Sequence, residues 1–576
     1  MEHAEQAPSS HDSNAVGERG FVGEANELPK GYFYSPFFLG TTVAIGFNLM
    51  GSTAGFALVA PVIGQIAVSL NSTDGSVIWL SLVYTLGLAI GLTLVGRLSD
   101  IFGRRYFFIV GSALGALGAI VSGTANTVPV VIGGQVLIGL SACTGYSYAF
   151  LIGELVPVKY RFIFNALIFV FSLPTAGFGA AVSTAFIVHT NAGWRWVYYL
   201  LIILNGMTTL LYAAFYFPPT FHQKHGRDTV MQWLKNFDYV GLLLYTAGLV
   251  LFILGLSSGG SLYPWTDAKV SAPLVVGFLC LVGLFVYETY VDLKEPLIPM
   301  HLFKNRGWVA AMLSLSIGAS VYYSQAIIWP QMTANVYARG RVEWAGIVSC
   351  LVGIGITIGE IIGGAVAKNF GHWKIQCCCV ITLGTLFLGL GALCNPNTPG
   401  MAMAFVFIAT TFIGWNEALV FPICTIAIRD QEEIGTAAGI AGSARSAIST
   451  VASTVYSVVL TARVTETLST QVPAAVIGAG LPASSVADYM AAIAGGGAHS
   501  LLDAVQGLTP EVLATGAEAY RWAYTDAYKT VFLTSLAFGG LGMICSLFIA
   551  DIEPLMGDKV AVTLTGREKD REELKV

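Results

Sequence analysis

Fourteen runs of mainly apolar residues recur along this chain of 576 residues. A helix needs about 20 such residues to cross the hydrocarbon core of a bilayer, and each run is about that long. Composition agrees, because 55% of the residues are hydrophobic and 11% are charged, against about 25% charged in soluble domains. The pattern predicts an all-α integral membrane protein and excludes a soluble enzyme and a disordered chain. The predicted spans are residues 37–58, 76–96, 106–124, 130–150, 163–187, 196–217, 239–257, 272–290, 308–329, 344–367, 375–393, 403–427, 436–460 and 529–550.

The basic residues predict the orientation, because Lys and Arg concentrate in cytosolic loops. An even number of spans places both termini on one side, and all but seven of the 29 Lys and Arg residues fall on that side. We therefore expect both tails, residues 1–36 and 551–576, in the cytosol. The seven basic residues expected outside are Arg195, Lys269, Arg339, Arg341, Arg463, Arg521 and Lys529.

Two outer segments have features of their own. The Asn71-Ser72-Thr73 sequon lies between the first two spans and would face outwards. The longest outer segment runs over residues 461–528 and holds short helical patterns at 496–506 and 509–523. A small exposed subdomain is expected there, and a capping or gating role is the alternative.

Several function classes have no support in the residues. The net charge of −5 is small and of the wrong sign for a nucleic-acid-binding protein. The chain contains neither a P-loop nor an HExxH motif, and its nine cysteines show no metal-ligand spacing and predict no disulfide framework. We expect no cofactor, no metal and no catalytic residues. Fourteen spans with buried polar side chains favour a secondary transporter.

The loop after the second span reads Gly-Arg-Leu-Ser-Asp-Ile-Phe-Gly-Arg-Arg over residues 96–105. The glycines permit a tight turn, and the Asp can pair with a basic side chain or with the N–H groups of a helix start. The loop resembles the signature loop of the major facilitator superfamily, in which it acts as a conformational latch. The latch residues implied are Gly96, Asp100, Gly103, Arg104 and Arg105.

Further segments narrow the resemblance. Residues 154–161 (Glu-Leu-Val-Pro-Val-Lys-Tyr-Arg), 193–196 (Gly-Trp-Arg-Trp) and 295–299 (Glu-Pro-Leu-Ile-Pro) are similar to fourteen-span drug:proton antiporters. With residues 133–139, 256–265 and 435–445, they resemble the fungal trichothecene-efflux-pump branch most closely.

The resemblance covers residues 40–550 and implies the major-facilitator fold, two six-helix bundles plus an extra central helix pair. The bundles would be residues 37–217 and 301–550, and residues 218–300 would hold the extra pair and its linkers.

Some antiporter residues differ in this chain. Gln135 stands where drug:proton antiporters usually have an Arg in the fourth span, and no carboxylate occurs between Glu27 and Asp74, so the first span has none. The fifth-span antiporter motif is represented by Pro174, Gly177 and Gly179. Any proton coupling is therefore expected to use other groups.

Three charged side chains fall deep inside predicted spans: Glu360, Glu417 and Arg445. An ionisable group at mid-membrane costs about 2.5–3.5 kcal/mol on insertion scales, so it usually faces a cavity and has a role. Our hypothesis is that one carboxylate exchanges protons while Arg445 pairs with one of the two during the cycle. The alternative is a static buried ion pair that fixes helix packing.

Aromatic and amide side chains in the spans are candidates to line a substrate cavity, because such surfaces suit a bulky, moderately polar organic molecule. Aromatic residues near span ends can instead belong to the interfacial belt. The candidates are Tyr146, Tyr148, Tyr322, Tyr323, Gln325, Trp329, Trp415 and Asn416.

These patterns predict a monomeric secondary transporter in the lipid bilayer of a fungal cell membrane, with the vacuolar membrane as the alternative. It would export a hydrophobic metabolite, toxin or drug in exchange for protons. Import of an iron–siderophore complex, as in related transporters, is the first alternative. A transporter-like receptor that moves no substrate is the second.

Overall fold

The computed structural model describes residues 23–24, 31–71, 77, 79–101, 103–218, 230–259, 263–428, 433–494, 505–557 and 559–560. Within them, fourteen helices are long and apolar enough to cross a membrane, which confirms the predicted all-α fold with fourteen spans. They are α1 Pro36–Ser69, α2 Trp79–Gly96 (its helix continues to Ile101), α3 Arg104–Gly123, α4 Val128–Leu155, α5 Val158–His189, α6 Arg195–Phe215, α7 Tyr239–Ser258, α8 Ala268–Tyr290, α9 Arg306–Tyr337, α10 Val342–Phe370, α11 Trp373–Leu393, α12 Pro399–Ile426, α13 Ile434–Gly478 and α14 Pro510–Ser546.

Several spans are irregular inside the membrane. The α1 helix is interrupted between Pro36–Ala57 and Ile63–Ser69, and α4 between Val128–Tyr146 and Tyr148–Leu155. Wide turns with i→i+5 bonding occur at Leu173–Gly177 in α5 and Thr333–Tyr337 at the end of α9. Short helices elsewhere are Tyr32–Tyr34, Val230–Asn236, Met300–Lys304, Ala483–Ser485, Val486–Ala494 and Glu553–Leu555.

The first six and last six spans pack mainly among themselves. In the first half α3 packs against α4 and α6, and in the second half α10 packs against α12 and α9 against α13. The two most extensive contacts between the halves are those of α2 with α13 and of α5 with α10. Each half therefore contributes one helix to each of these two contacts.

The two chain tails meet at one end of the molecule. Strand β1 (Gly23–Glu24) precedes α1 and pairs antiparallel with strand β2 (Lys559–Val560), which follows α14. The backbone N–H of Lys159 donates to the carbonyl of Gly557 at the same end. We call this end the tail end and the opposite one the far end. The pairing agrees with an even number of spans.

The extra pair α7–α8 is held together by close backbone contact. A Cβ on Gly277 would lie 2.3 Å from the backbone nitrogen of Phe252, so glycine is required there. Much of α8 faces outwards with apolar side chains, among them Phe278, Leu279 and Phe285, as expected for a helix in contact with lipid.

The far end differs from the predicted outer segment 461–528. Helix α13 continues to Gly478 and α14 begins at Pro510, so the predicted pattern at 509–523 is the first part of α14. Residues 495–504, most of the pattern at 496–506, lie outside the described residues. The extensions exist because they bury a second apolar cluster, which includes Val472, Val476, Leu481, Tyr489, Val505 and Val512.

Helix packing within the second half makes a glycine substitution informative. A Cβ on Gly414 would lie 2.0 Å from the carbonyl oxygen of Ile356, so Gly414→Ala should push α10 from α12 and destabilise the protein by about 1–3 kcal/mol. Gly133→Ala is the matched control, because nothing lies within 4 Å of its Cβ position. Thermal unfolding in detergent measures both, and equal midpoints for the two variants would contradict the predicted packing.

Candidate functional site

An ion pair lies buried in the second half. Glu417 on α12 and Arg445 on α13 are 2% and 3% exposed, and Arg445 Nη2 donates to Glu417 Oε1 over 2.5 Å. Among the described residues, Glu417 Oε2 and Arg445 Nε have no hydrogen-bond partner. The pair is therefore desolvated, and its burial is only partly compensated by hydrogen bonds among the described residues.

Tyrosines from both halves cover the guanidinium. Arg445 Nη1 donates to the Tyr323 hydroxyl over 3.2 Å, and that hydroxyl donates to the Tyr146 hydroxyl over 3.3 Å. The guanidinium carbon lies 5.1 Å from the ring centre of Tyr146 and 5.4 Å from that of Tyr323, within cation–π range. Because Tyr146 belongs to α4, the chain of contacts joins the ion pair to the first half. Phe56 of α1 packs on Tyr323, with ring centres 4.9 Å apart.

Glu360 on α10 is the second carboxylate of this region. It is 7% exposed and interacts electrostatically with Glu417 and Arg445, although the structure records no direct ion pair for it among the described residues. The three charged residues predicted from the sequence therefore lie in one region, within electrostatic range of one another.

The predicted substrate-cavity residues divide between several environments. Tyr148 packs between Phe169 and Phe421, with ring centres 5.1 and 5.5 Å away. Tyr322 stacks edge-on against Tyr323 at 5.2 Å and borders a small cavity of about 20 Å³ between the halves.

The other four predicted residues contact neighbouring helices or stay partly unpaired. Gln325 is buried, and its Oε1 has no partner among the described residues. Trp329 donates to the carbonyl of Val348 over 2.9 Å, and Asn416 reaches the carbonyl of Ser314 at 3.5 Å. Trp415 is half-buried beside Phe370. Their role in lining a substrate cavity stays a prediction.

A cavity of about 590 Å³ opens at the far end between the two halves. Its described lining holds no charged side chain and mixes apolar groups with amides and hydroxyls. The lining residues include Gln65 of α1, Trp79 of α2, Ser257 of α7, Gln331 and Asn335 of α9, and Thr454, Ser457 and Thr461 of α13. None of the predicted cavity residues is among them. The sequence prediction considered polar and aromatic side chains in the middle of the spans, whereas most of these lining residues lie near span ends.

The predicted latch residues lie at the tail end, where the halves touch. A Cβ on Gly96 would lie 2.8 Å from the Cα of Thr436 on α13, so glycine is required for this contact. Gly103 adopts a φ of +79° in the turn between α2 and α3, which glycine adopts without strain.

The arginines of the latch hold this end together. Arg104 forms a buried ion pair with Glu154, and its Nη2 lies 3.6 Å from the Cβ position of Gly435 in the other half. Arg105 Nη2 donates to the carbonyl of Ala213 over 2.9 Å, within its own half. The side chain of Asp100 lies outside the described residues.

A second inter-half contact closes the tail end near α5. Arg161 Nη1 donates to the carbonyl of Thr425 on α12 over 3.4 Å. The Lys368 ammonium of α10 lies 5.7 Å from the ring centre of Tyr160. The halves are therefore in contact at these two places at the tail end, whereas the cavity between the halves opens at the far end.

A further cavity of about 790 Å³ lies at the tail-end surface beside the start of α9. Its lining includes His301, Lys304 and Arg306, and His301 Nε2 lies 2.8 Å from Glu433 Oε2. Its charged side chains are exposed or half-buried, and none of the three intramembrane charged residues lines it.

Comparison with known proteins decides the family. The family model of the fungal trichothecene efflux pump matches residues 7–575. The chain belongs to this family. It is 28% identical over 549 residues to the trichothecene efflux pump TRI12 of Fusarium sporotrichioides, covering 94% of this chain and 91% of the relative. It is 30% identical over 459 residues to the MFS-type transporter prx5 of Penicillium rubens, covering 77% and 81% of the two chains.

Solved structures show the fold of this trichothecene efflux pump family member. The proton:xylose symporter XylE covers 93% of this chain and 98% of its own, with a TM-score of 0.52 at 14% identity. The protein therefore has the major-facilitator fold, two six-helix bundles plus the central pair α7–α8, and is a multi-pass membrane protein. The predicted resemblance is confirmed.

Gln135 of this family member makes a neutral contact between helices. It is fully buried, and its Nε2 donates to the carbonyl of Gly55 on α1 over 2.7 Å. Within the part of the chain that the structure describes, no three His, Cys, Asp or Glu side chains are grouped as metal ligands. Asn71 lies two residues after the end of α1 and has a φ of +52°, and Ser72 and Thr73 of the sequon lie outside the described residues.

Removing one partner of the ion pair should be far more costly than removing both. Arg445→Met leaves Glu417 buried without a cation, and we expect a loss of about 3–5 kcal/mol in unfolding free energy. The double variant with Glu417→Met should recover most of that loss. Arg463→Met at the largely exposed Arg463–Glu466 pair is the control, for which about 0.2–1 kcal/mol is expected. Denaturant unfolding in detergent checks the order, and a double variant as unstable as the single one would contradict it.

Proposed function

We propose that this protein exports a hydrophobic small molecule of fungal secondary metabolism, such as a toxin or drug, by alternating access in exchange for protons. Membership of the efflux pump family supports export, since relatives over most of the chain are named efflux pumps. Residues 37–217 and 301–550 act as the two moving bundles, and residues 218–300 connect them. A single chain supplies both bundles, so a monomer suffices.

The observation that carries the proposal is one-sided access. The cavity of about 590 Å³ is open at the far end and is lined by α1 and α2 of one half and α9 and α13 of the other. At the tail end, Gly96 lies against α13 and Arg161 reaches α12. If the tail end is cytosolic, as the basic residues predict, this conformation is the one that releases cargo outside.

The charged cluster provides the proton-coupling step. With both carboxylates ionised, Glu360, Glu417 and Arg445 together have one excess negative charge in a site almost without water. One proton on either carboxylate would make the net charge of the cluster zero, and a neutral cluster is less costly than a charged one inside the membrane. A proton on Glu417 ends its ion pair, and Arg445 can then pair with Glu360. That exchange would shift α13 relative to α10 and α12.

The cargo is inferred from the cavity lining. Amide and hydroxyl groups among apolar walls suit an uncharged, moderately polar molecule, which hydrogen-bonds at a few points and otherwise makes apolar contacts. Trp79 at the mouth offers an aromatic face. An anionic metal complex would find no cation in the described lining, and this favours export of a toxin over import of an iron–siderophore complex.

The coupling step predicts the effect of removing each carboxylate. Glu417→Gln and Glu360→Gln should each reduce transport driven by a pH gradient at least about tenfold, because the neutral amide cannot exchange a proton. Downhill exchange of cargo without a gradient should persist. Proteoliposomes with an imposed gradient measure both rates, with Glu466→Gln at the exposed far-end pair as the control. Unchanged gradient-driven transport in both variants would remove the coupling hypothesis.

Direction and cargo class are tested together in vesicles of known sidedness. Inside-out vesicles should accumulate labelled hydrophobic toxins when their interior is acidified, and Trp79→Ala should raise KM more than it lowers the maximal rate. Ferric siderophores form the second arm of the panel. If the protein transports ferric siderophores and none of the toxins, the proposed export function is wrong and the import of iron–siderophore complexes takes its place.

A further inference from the structure

The extra pair α7–α8 contacts the two bundles through a polar side chain. Helix α8 packs on α7, and α7 in turn packs against α13 of the second half and touches α2 of the first. Tyr245 lies on the buried face of α7 and is 7% exposed. Its hydroxyl lies 2.5 Å from the Ser443 hydroxyl on α13.

Ser443 also bonds to the first half. Its Oγ lies 2.6 Å from the Thr93 hydroxyl of α2 and donates to the carbonyl of Ala89, also on α2, over 2.7 Å. Thr93 and Ser443 are 5% and 3% exposed. Three hydroxyls from α2, α7 and α13 therefore meet in one buried cluster, which we call the hydroxyl clasp (Thr93, Tyr245 and Ser443).

The donor and acceptor count gives each member a role. A serine hydroxyl has one proton and two lone pairs. Because the Ser443 proton goes to the carbonyl of Ala89, its two lone pairs can accept from Tyr245 and from Thr93, whose hydroxyl has the same carbonyl as its other acceptor at 3.1 Å. The Ser443 hydroxyl then makes all the hydrogen bonds that it can. Two of its three partners, Thr93 and Ala89, are on α2, and the third, Tyr245, is on α7 of the extra pair.

The clasp lies on the contact between α2 and α13 that the latch glycines allow. These helices run antiparallel, with Gly96 beside Thr436 and the Leu92 carbonyl 2.6 Å from the Cβ position of Gly439. Ser443 follows one turn later on the same face. Arg445 is two residues further along α13. A movement of this helix therefore displaces both the hydroxyl clasp and the buried ion pair.

We propose that Tyr245 is a positioning residue of the transport cycle: through the hydroxyl clasp, the extra helix pair holds α2 and α13 together and stabilises the conformation closed at the tail end. The inference rests on the proposed alternating access. Opening the tail end separates α2 from α13 and breaks the bonds of Ser443 to Thr93 and Ala89. The extra pair is then part of the gate as well as a connector.

The test is hydrogen–deuterium exchange of the full-length protein in lipid nanodiscs, with no cargo present. Tyr245→Phe deletes one hydroxyl and leaves the ring, so it should shift the population towards the tail-open conformation about two- to tenfold, the effect of one hydrogen bond. Exchange should rise in peptides over residues 86–95 and 435–445. It should fall at the far-end cavity, over residues 60–66 and 454–461.

The control is Tyr239→Phe, which removes an identical hydroxyl from the exposed start of α7, where it bonds to the carbonyl of Leu234. It should leave exchange unchanged at both ends. Thr93→Val should change exchange in the same two directions as Tyr245→Phe. Adding Tyr245→Phe to Ser443→Ala should have no further effect, because the acceptor is already absent.

A rise in exchange across all spans would mean general loosening and would overturn the proposal, as would no change at either end. Because the measurement needs neither cargo nor a proton gradient, its result is independent of whether the cargo and the coupling residues have been assigned correctly. If exchange rises at the tail end and falls at the far end, but none of the toxins is transported, the role of the hydroxyl clasp would be supported and the proposed cargo would be wrong.

Discussion

The buried contact between Arg445 and Glu417 constrains the whole central region. An ion pair costs free energy when it leaves water, and in the bilayer interior the loss is recovered only if the remaining polar atoms find partners. Tyr323 and Tyr146 supply part of that solvation, and Tyr146 comes from the opposite half. The charges of one half are therefore stable only while the other half covers them. In the proposed transport cycle, this dependence would transmit a change of protonation to both bundles.

Small residues allow the two halves to pack closely enough for one to cover the charges of the other. Lipid offers helices little hydrophobic reason to associate, so close backbone approach and hydrogen bonds must hold them. The contact of α2 with α13 at Gly96 and the contact of α5 with α10 both depend on glycine, since a Cβ on Gly353 would lie within van der Waals overlap of the Ala176 carbonyl. The latch motif is explained by this packing together with the turn at Gly103.

Much of the fold could be predicted because apolar run length and basic-residue distribution are local signals. Fourteen spans follow from them, and so does the prediction that Glu360, Glu417 and Arg445 lie inside the membrane. The choice of Glu417 as the partner of Arg445 and the part played by Tyr146 could not be predicted, since the hypothesis left both carboxylates open and the contact of Tyr146 with Tyr323 joins residues 177 positions apart. The far-end extensions of α13 and α14 were missed because Thr, Ser and Ala dilute the apolar signal there. Gln65 and Trp79 were missed because the cavity forms only where the two halves meet, so neither half alone has a sequence pattern that indicates it.

The pairing of β1 with β2 closes the polypeptide into a ring. The first half is joined to the second once through residues 218–300 and again where the residues before α1 meet those after α14. Only two residues of each strand take part, so few backbone hydrogen bonds hold this second junction. A bulky fusion at either terminus would therefore act on both bundles at once, and a tag chosen for purification could alter the rate that an assay is meant to measure.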